Sequence, residues 1–206
     1  MIKATKQEWL KKLWYVFESK VIFPRNFKKI VVEEIPLKPD HSVLLLQNHI
    51  SWWDGFWGSY LAYKFFKKSY HVMVQENQLE KHFYFRYKGA FSIKKKSKEL
   101  FESINYTVEL LRNPQNMVLI FPQGKLQSLY ADEIILEKGL FKILESAPPN
   151  CQVIYNAVTI NYLESFKPTV KCHLLDCGMA HKLSPQQLQK NISAFQKNVI
   201  SNTIRR

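Results

Sequence analysis

The sequence predicts an α/β domain in which a mostly parallel sheet is flanked by helices, preceded by an N-terminal amphipathic helix. Short, continuous apolar segments of strand length alternate along the chain with segments whose apolar residues recur at helical spacing. This alternation is typical of layered domains built on parallel strands. No repeat, low-complexity tract or interdomain linker interrupts the 206 residues, a length that suits one domain with a sizeable core.

The N-terminal helix is predicted over residues 3–23. Trp9, Leu13 and Phe17 form a row at i, i+4 spacing with lysines interspersed around it, and Pro24 is expected to end the helix. An apolar face that contains tryptophan and is flanked by lysine is typical of helices that lie at a bilayer surface. The alternative is that this face packs on the core of the domain itself.

The other elements follow from apolar runs bounded by turn residues. Strands are predicted within SVLLL (42–46), YHVMVQ (70–75), GAFSIKK (89–95), MVLIF (117–121), QVIYNAVTI (152–160) and TVKCHLL (169–175). Helices are predicted over 51–66, over 97–112 with Ser97 as N-cap, over 134–144, and from Pro185 onward with Ser184 as N-cap. Ligands of such sheets bind beyond the carboxyl ends of strands, where His49 and Gln123 fall.

The chain is strongly basic, with 30 Lys and Arg against 17 Asp and Glu, a formal net charge of +13. Residues 64–98 alone contain ten basic and two acidic residues, so this segment carries most of the excess. Such a balance favours an anionic partner: nucleic acid, an anionic membrane or a phosphorylated ligand. The alternative for this segment is a solvated basic face.

Cysteine spacing and hydropathy indicate the cellular compartment of the protein and its relation to the membrane. Cys151, Cys172 and Cys177 lack metal or redox spacing, which favours reduced intracellular thiols. No secretory signal is visible, and no window approaches the roughly 18 uninterrupted apolar residues of a spanning helix. We therefore expect a peripheral or monotopic protein at the cytoplasmic face of a membrane.

The stretch QNHISWWDGF, residues 47–56, has a structural and a catalytic interpretation. In the structural one, Ser51 caps a helix, Asp54 completes a capping-box-like pattern, and His49 has no role. In the catalytic one, His49 lies on the turn before the helix and folds back over its first turn. Asp54, ionised at the helix N-terminus, then holds one ring nitrogen and leaves the other free as a general base.

The segment NHISWWD also resembles the Asn-His-x4-Asp motif of glycerolipid acyltransferases, the family that contains the lysophosphatidic acid acyltransferases. The resemblance extends in order through GAFSIKK, VLIFPQGKLQS, LEKGLFKIL and VIYNAVTI, from about residue 43 to 160. It implies a membrane-surface helix over residues 1–24 and an acyltransferase domain over residues 25–206.

The resemblance implies transfer of a fatty acyl chain from a coenzyme A or acyl carrier protein thioester to a hydroxyl of a membrane lipid or lipid-like acceptor. It implies no metal and no bound cofactor. His49 would be the base, Asp54 would orient it, and main-chain N–H groups near Gly124 would stabilise the oxyanion. The implied substrate-binding residues are Lys95, Phe121, Pro122, Gln123, Gly124 and Lys125.

The sequence departs from the family pattern in FPQGKLQS, where the family has Phe-Pro-Glu-Gly-Thr-Arg-Ser. Gln123 replaces the glutamate, Lys125 the threonine and Leu126 the arginine. Losing a bidentate guanidinium removes a phosphate contact that lysine replaces only as a point charge. We therefore expect an acceptor other than plain lysophosphatidate, such as a glycolipid, an amino-acid lipid, or a pigment or polyene precursor. Drift with the function kept is the alternative.

Two rival functions remain open at this point. A non-catalytic, lipid-binding member of the same family would explain the altered FPQGKLQS segment, although His49 and Asp54 argue against it. A nucleic-acid binder would explain the charge and the aromatic residues of KHFYFRYK, but no nucleic-acid-binding motif is present. Nucleic acid is therefore not expected among the partners.

Overall fold

The computed structural model describes residues 1–5, 7–94, 99–131 and 133–204. Seven strands form one sheet in the order β1-β7-β6-β2-β5-β3-β4. They span Lys29–Val32 (β1), Ser42–Gln47 (β2), Ser69–Gln75 (β3), Ala90–Ile93 (β4), Asn116–Ile120 (β5), Cys151–Asn161 (β6) and Thr169–Met179 (β7). Neighbouring strands are parallel except β6 and β7, which are antiparallel. The predicted mostly parallel sheet is confirmed, and β1 is an edge strand that the sequence reasoning missed.

Helices cover both faces of this sheet. They span Glu8–Phe17 (α1), Phe23–Asn26 (α2), Asp54–Tyr60 (α3), Glu76–Lys81 (α4), Glu99–Leu111 (α5), Lys138–Ser146 (α6) and Pro185–Ile204 (α7). Two π-helical turns, Glu18–Ile22 and Leu61–Phe66, and two 3-10 turns, Phe83–Lys88 and Ala180–Lys182, join them. The core on one face is built with α5, α6 and α7, and the core on the other with α2 and α3.

The central strand β2 is buried along its whole length, as expected for a parallel strand covered on both faces. Its side chains alternate, so Leu44 and Leu46 enter one core while Val43 and Leu45 enter the other. On the α3 face the packing is close: a Cβ at Gly58 would lie 2.5 Å from Leu119 Cδ2. A side chain at position 58 would therefore require Leu119 or the helix to shift.

The N-terminal helix differs from the prediction at both ends. It begins at Glu8, because the first residues run extended beside β4: Ile2 N–H donates to Ser92 Oγ at 2.7 Å, and Ser92 N–H to Ile2 O at 2.8 Å. It does not end at Pro24, because the π-helical turn leads into α2. The proline lies in the first turn of α2, directly after the π-helical turn, so it does not end the helical segment.

The helix predicted over 134–144 begins only at Lys138. The preceding residues are instead tied to α7 by one side chain: Gln189 donates to Ile134 O and accepts from Leu136 N–H at 2.9 Å. These bonds satisfy the backbone without a helix. Helix α7 begins as predicted, with Gln187 N–H donating to Ser184 Oγ at 3.2 Å, whereas the predicted cap Ser97 lies outside the described residues.

Helix α1 and the turn after it each bury one charged residue. Lys11 and Glu18 are each 1% exposed, whereas Trp9, Leu13 and Phe17 lie on the exposed side. The predicted apolar row therefore faces away from the domain's own core. Among the described residues, no helix is both long enough and apolar enough to span a bilayer.

Candidate active site

Two loops that follow neighbouring parallel strands meet at one edge of the sheet. Strand β2 pairs with β5, and Leu46 is opposite Ile120 at the carboxyl ends of both. The chain leaves β2 toward His49 and leaves β5 toward Gln123, so both residues fall at the same edge, as the sequence predicts.

His49 and Asp54 form a hydrogen-bonded pair. His49 Nδ1 lies 2.6 Å from Asp54 Oδ2, and the carboxylate is 1% exposed while the imidazole is 26% exposed. Burial raises the pKa of Asp54, and the hydrogen bonds that the carboxylate accepts oppose this rise. A carboxylate at Nδ1 places the proton on that nitrogen, which leaves the lone pair on Nε2.

The structure keeps one part of each interpretation of QNHISWWDGF, but Ser51 does not cap α3, whose N-cap is Trp53. Helix α3 begins at Asp54, and the turn before it carries His49 back over the start of the helix. Asp54 Oδ2 also accepts the N–H groups of Ile50 and Ser51, at 2.8 and 3.0 Å. One carboxylate therefore closes the turn and orients the imidazole. Ser51 precedes α3 by three residues, and its Oγ accepts from Trp53 N–H at 3.2 Å.

The loop after β5 holds His49 from three sides. The Phe121 ring stacks on the imidazole, with centroids 4.2 Å apart and planes inclined by 16°. Gln123 Oε1 accepts from His49 N–H at 3.2 Å, and Gln127 N–H donates to His49 O at 2.8 Å. Gly124 turns this loop with a φ of 62°, a left-handed conformation that favours glycine.

A buried amide network supports the turn from behind, and the sequence reasoning missed it. The Asn48 side chain pairs with both main-chain groups of Val158 on β6, at 3.0 and 2.7 Å. Gln47 Nε2 donates to Asp54 O, and Asn156 Nδ2 donates to Gln47 Oε1. Polar residues at the ends or middle of otherwise apolar strands, in LLLQN and IYNAV, were the available signal.

A cavity of about 510 Å³ opens beside His49 and reaches both faces of the sheet. Its wall on the α5 and α6 face is aliphatic, and its wall on the α3 face carries aromatic rings. The aliphatic residues are Met73, Ile93, Leu100, Ile104, Leu140 and Ile143; the rings are those of Trp52, Phe56, Tyr70 and Phe85. A mostly apolar cavity with a few convergent polar groups is the usual form of a small-molecule site.

The predicted substrate-binding residues fall into three groups. Phe121, Pro122, Gly124 and Lys125 line the cavity, as does Leu126. Gln123 is buried and its side chain contacts the His49 main chain instead. Lys95 lies outside the described residues.

One expected oxyanion donor is already engaged in the structure. Gly124 N–H donates to Phe121 O at 3.0 Å, as part of the turn after β5. The Gly124 N–H is thus occupied within the turn, and the expectation that main-chain N–H groups near Gly124 stabilise a thioester oxyanion stays a prediction. In the described part of the chain, no three or more His, Cys, Asp or Glu side chains cluster where they could hold a metal ion.

A second buried acid–base pair lies on the α3 face of the cavity. Glu18, in the turn after α1, contacts Lys88, and it also accepts from Ser59 Oγ at 2.9 Å. The Lys88 ammonium lies 3.6 Å from the centre of the Phe56 ring. Burial raises the pKa of Glu18 and lowers that of Lys88, and the attraction between the two opposes both changes.

Comparisons with known proteins agree with this fold. A crystal structure of the 1-acyl-sn-glycerophosphate acyltransferase PlsC from Thermotoga maritima is similar, with a TM-score of 0.57 and 16% sequence identity over 97% of this chain and 78% of that one. At this identity the similarity establishes the fold alone. No curated protein sequence matches the chain significantly. The family model described as acyltransferase matches residues 25–160, about two thirds of the chain, which therefore belongs to the acyltransferase family.

Proposed function

We propose that this acyltransferase moves a fatty acyl chain from a coenzyme A or acyl carrier protein thioester to a hydroxyl of a lipid-like acceptor. The observation that carries the proposal is the His49–Asp54 pair at the mouth of an apolar cavity. Among the described residues, none donates to or accepts from His49 Nε2, so this nitrogen can receive a proton from a bound hydroxyl.

The reaction follows from this geometry. The acceptor hydroxyl attacks the thioester carbonyl while His49 Nε2 takes the hydroxyl proton, and Asp54 stabilises the resulting imidazolium. The tetrahedral intermediate then collapses with cleavage of the carbon–sulfur bond. His49 returns the proton to the thiolate, so an ester and a free thiol leave and the side chains return to their starting state.

The two walls of the cavity suggest where each substrate lies. The aliphatic wall on the α5 and α6 face suits the acyl chain of the donor, because burying its methylene groups there gains about 0.8 kcal/mol for each. The ring-lined wall on the α3 face is then available to the acceptor. Lys125 at the cavity supplies a positive charge for an anionic group of either substrate.

The acceptor is proposed to differ from plain lysophosphatidate. Leu126 lines the cavity where the resemblance would place an arginine, and it offers no hydrogen bond to a phosphate. A bidentate guanidinium contact to a phosphate contributes about 1.5–3 kcal/mol. A hydroxyl-bearing lipid that has no phosphate at this position, such as a glycolipid or an amino-acid lipid, loses no binding free energy when leucine replaces arginine.

The chain is proposed to work at the cytoplasmic face of a membrane. The row of Trp9, Leu13 and Phe17 is exposed on α1, which would leave a large apolar surface in water. Insertion of such a row into the headgroup region would remove that surface from water and bring the cavity close to lipid substrates.

Thiol release from acyl-coenzyme A and acyl carrier protein thioesters tests the reaction. The wild type would be compared with His49→Ala in the presence of vesicles and a lipid extract of the source cell, and the product identified by mass. We expect release to fall by about 10²–10⁴-fold in the variant. His181→Ala, which removes an exposed histidine from the 3-10 turn after β7, is the matched control.

The result separates the proposal from its rival. A new acyl ester that depends on His49 would establish the reaction and identify the acceptor together. No thiol release from either donor by folded, vesicle-bound protein would favour the non-catalytic, lipid-binding alternative. Release that is equal in wild type and His49→Ala would remove His49 as the base.

A further inference from the structure

An exposed apolar loop joins β6 to β7. We refer to residues 162–167 as the β6–β7 tip. Within it, Tyr162 is 60% exposed, Leu163 is 80% exposed and Phe166 is fully exposed. Three large apolar side chains this close together and this open to water usually mark a surface that is covered in use.

The tip is held in a fixed shape by its own hydrogen bonds. Ser165 N–H donates to Tyr162 O at 2.9 Å, and Lys167 N–H donates to Ser165 Oγ at 3.2 Å. Leu163 adopts a φ of 45°, in the left-handed region where glycine or asparagine would be less strained. The backbone conformation of the turn therefore does not explain why residue 163 is a leucine. A contact made by the leucine side chain would explain it.

The tip projects from the sheet edge that carries His49. Strand β6 pairs with β2 up to Asn156, which lies opposite Gln47, and then continues five residues further to Asn161. At roughly 3.3 Å per residue this extension is about 16 Å long. The tip at its end therefore stands beyond the edge from which the candidate site opens.

The tip is also connected to the exposed row of α1. That row continues from Phe17 by one further step of four to Val21, which is 45% exposed. Pro24 follows three residues later, and its carbonyl accepts from Lys167 Nζ at 2.7 Å. The tip thus lies where the exposed row ends.

Positive charge surrounds this junction. Lys28 N–H donates to Pro168 O at 2.9 Å, directly after the tip, and the side chains of Arg25, Lys28 and Lys29 are exposed beside it. Glu164 is the acidic residue within the tip. Exposed apolar side chains ringed by lysine and arginine fit the headgroups and acyl boundary of an anionic bilayer.

We infer that the β6–β7 tip inserts into an anionic lipid surface as a second attachment point, separate from α1. Two attachment points fix the tilt of the domain as well as its distance from the bilayer. The His49 edge then faces the lipid, so that an acceptor can enter the cavity without crossing water. The choice of a bilayer as the occupant rests on the proposed lipid acyl transfer.

An environment-sensitive fluorophore on the tip tests this inference. The full chain carrying Phe166→Cys would be labelled with a nitrobenzoxadiazole maleimide and mixed with vesicles of phosphatidylglycerol and phosphatidylethanolamine. Gln115→Cys, exposed just before β5 at the opposite end of the sheet, is the control position. Labelled wild type gives the background from the half-buried Cys177.

We expect the label at position 166 to brighten, shift to the blue and be quenched by nitroxide carried on the lipid chains, while the label at position 115 does not respond. Leu163→Ser with Phe166→Ser should weaken vesicle binding by about tenfold or more. The same variant should keep His49-dependent thiol release in detergent, since neither residue lines the cavity.

Three results would overturn the inference. One is vesicle-bound protein whose label at position 166 stays in water, and another is protein that does not bind these vesicles at all. The third is a label that responds to self-association or to a soluble protein but not to lipid. Because thiol release in detergent is measured on the same preparations, each of these is distinguishable from a failure of the proposed acyl transfer.

Discussion

Asp54 and Glu18 are both 1% exposed, and each carboxylate contacts one basic side chain together with further hydrogen-bond donors. Their partners differ. Both bases line the cavity. The Lys88 side chain is only 7% exposed and its ammonium is held between Glu18 and the Phe56 ring, whereas the His49 imidazole is a quarter exposed with Nε2 unused by the described residues. Equal burial of Asp54 and Glu18 therefore does not give the two pairs the same role. A base can react with a substrate only through an atom that its carboxylate partner does not occupy.

Asp54→Asn should have the largest effect and should act on turnover alone. An amide cannot stabilise the imidazolium, so we expect kcat to fall by about 10²–10⁴-fold. The free energy of unfolding should change little, because Asn Oδ1 can still accept from Ile50 and Ser51 N–H. Steady-state kinetics and urea unfolding measure the two quantities. Near-wild-type turnover would return Asp54 to a purely structural role.

Glu18→Leu should have the opposite signature, with a loss of stability rather than of chemistry. It leaves the Lys88 charge buried without its partner, a change that costs about 3–5 kcal/mol in the free energy of unfolding. Glu145→Leu, at an exposed position of α6, should change it by less than about 0.5 kcal/mol.

The double variant Glu18→Leu with Lys88→Met sharpens this prediction. Replacing both charges by apolar side chains removes the buried charge that the single variant leaves behind. We expect most of the lost stability to return, as it does for other buried ion pairs. A double variant no more stable than Glu18→Leu would mean that the pair holds α1 in place by more than charge compensation.

His71 adds a buried base that is kept neutral. Burial is the main reason that its pKa falls to about 3, and the nearby Lys11 ammonium, 3.3 Å from Nε2, lowers it further. In the unfolded chain its pKa is about 6.5, so protonation there draws the equilibrium toward unfolding once the pH falls below that value. The stability contributed by neutral His71 is thus complete above pH 6.5 and is lost between pH 6.5 and about 3.

The corresponding measurement compares the wild type with His71→Gln at pH 7 and pH 5. Glutamine can still accept from Lys11, but it does not titrate. Between these pH values the wild type should lose about 2 kcal/mol more stability than the variant, from the roughly 1.5 pH units below 6.5. Equal losses in urea unfolding would show that His71 is protonated in the folded protein.

Gln123→Met should give the smallest effect and tests how firmly His49 is held. It removes the acceptor of the His49 N–H bond at constant side-chain length. We expect kcat to fall by about fivefold with KM nearly unchanged, which corresponds to the roughly 1 kcal/mol of one hydrogen bond. Gln123→Glu, which keeps an acceptor oxygen, should recover most of kcat.

Gln152→Met is the matched control for that measurement. Gln152 is also fully buried and also bonds main-chain groups, those of Lys38 and Pro36, but it lies at the start of β6. Its replacement should lower stability and leave kcat as it is. A change in KM rather than kcat in Gln123→Met would mean that Gln123 contacts substrate, as the family resemblance implied.

Local sequence patterns were sufficient to predict most strands of the sheet, but not its edge strand β1 or the first residue of every helix. The apolar runs predicted β2 to β7, most clearly β2 and β5, because strands buried along their whole length are mostly apolar. They could not predict β1, whose residues are only partly buried at the sheet edge. They also placed residues 134–137 in a helix, since Gln189 lies about fifty residues away in sequence.

The contacts of the candidate site also divide into those between residues close in sequence and those between residues on different strands. The His49 and Asp54 spacing allowed contact between the imidazole and the carboxylate if His49 lay on the turn before the helix, and the structure has that contact. The contact of Gln123 with the His49 main chain was not predictable, because it joins loops after two different strands. The amide network of Gln47, Asn48 and Asn156 likewise depends on β2 and β6 being neighbours in the sheet.

By itself, the sequence determined the α/β architecture and the amphipathic character of the N-terminal helix, because each depends on neighbours within a few residues or on strand-length hydrophobic runs. For His49 and Asp54 it left a structural and a catalytic interpretation open. Only the tertiary structure decided which side of that helix faces outward. Periodicity is the same whichever way a helix is turned, and here the buried contacts of Lys11 and Glu18 fix its rotation. The tertiary structure also decided that β6 extends beyond β2, together with β7, since the length of a strand relative to the sheet depends on the register of its partners.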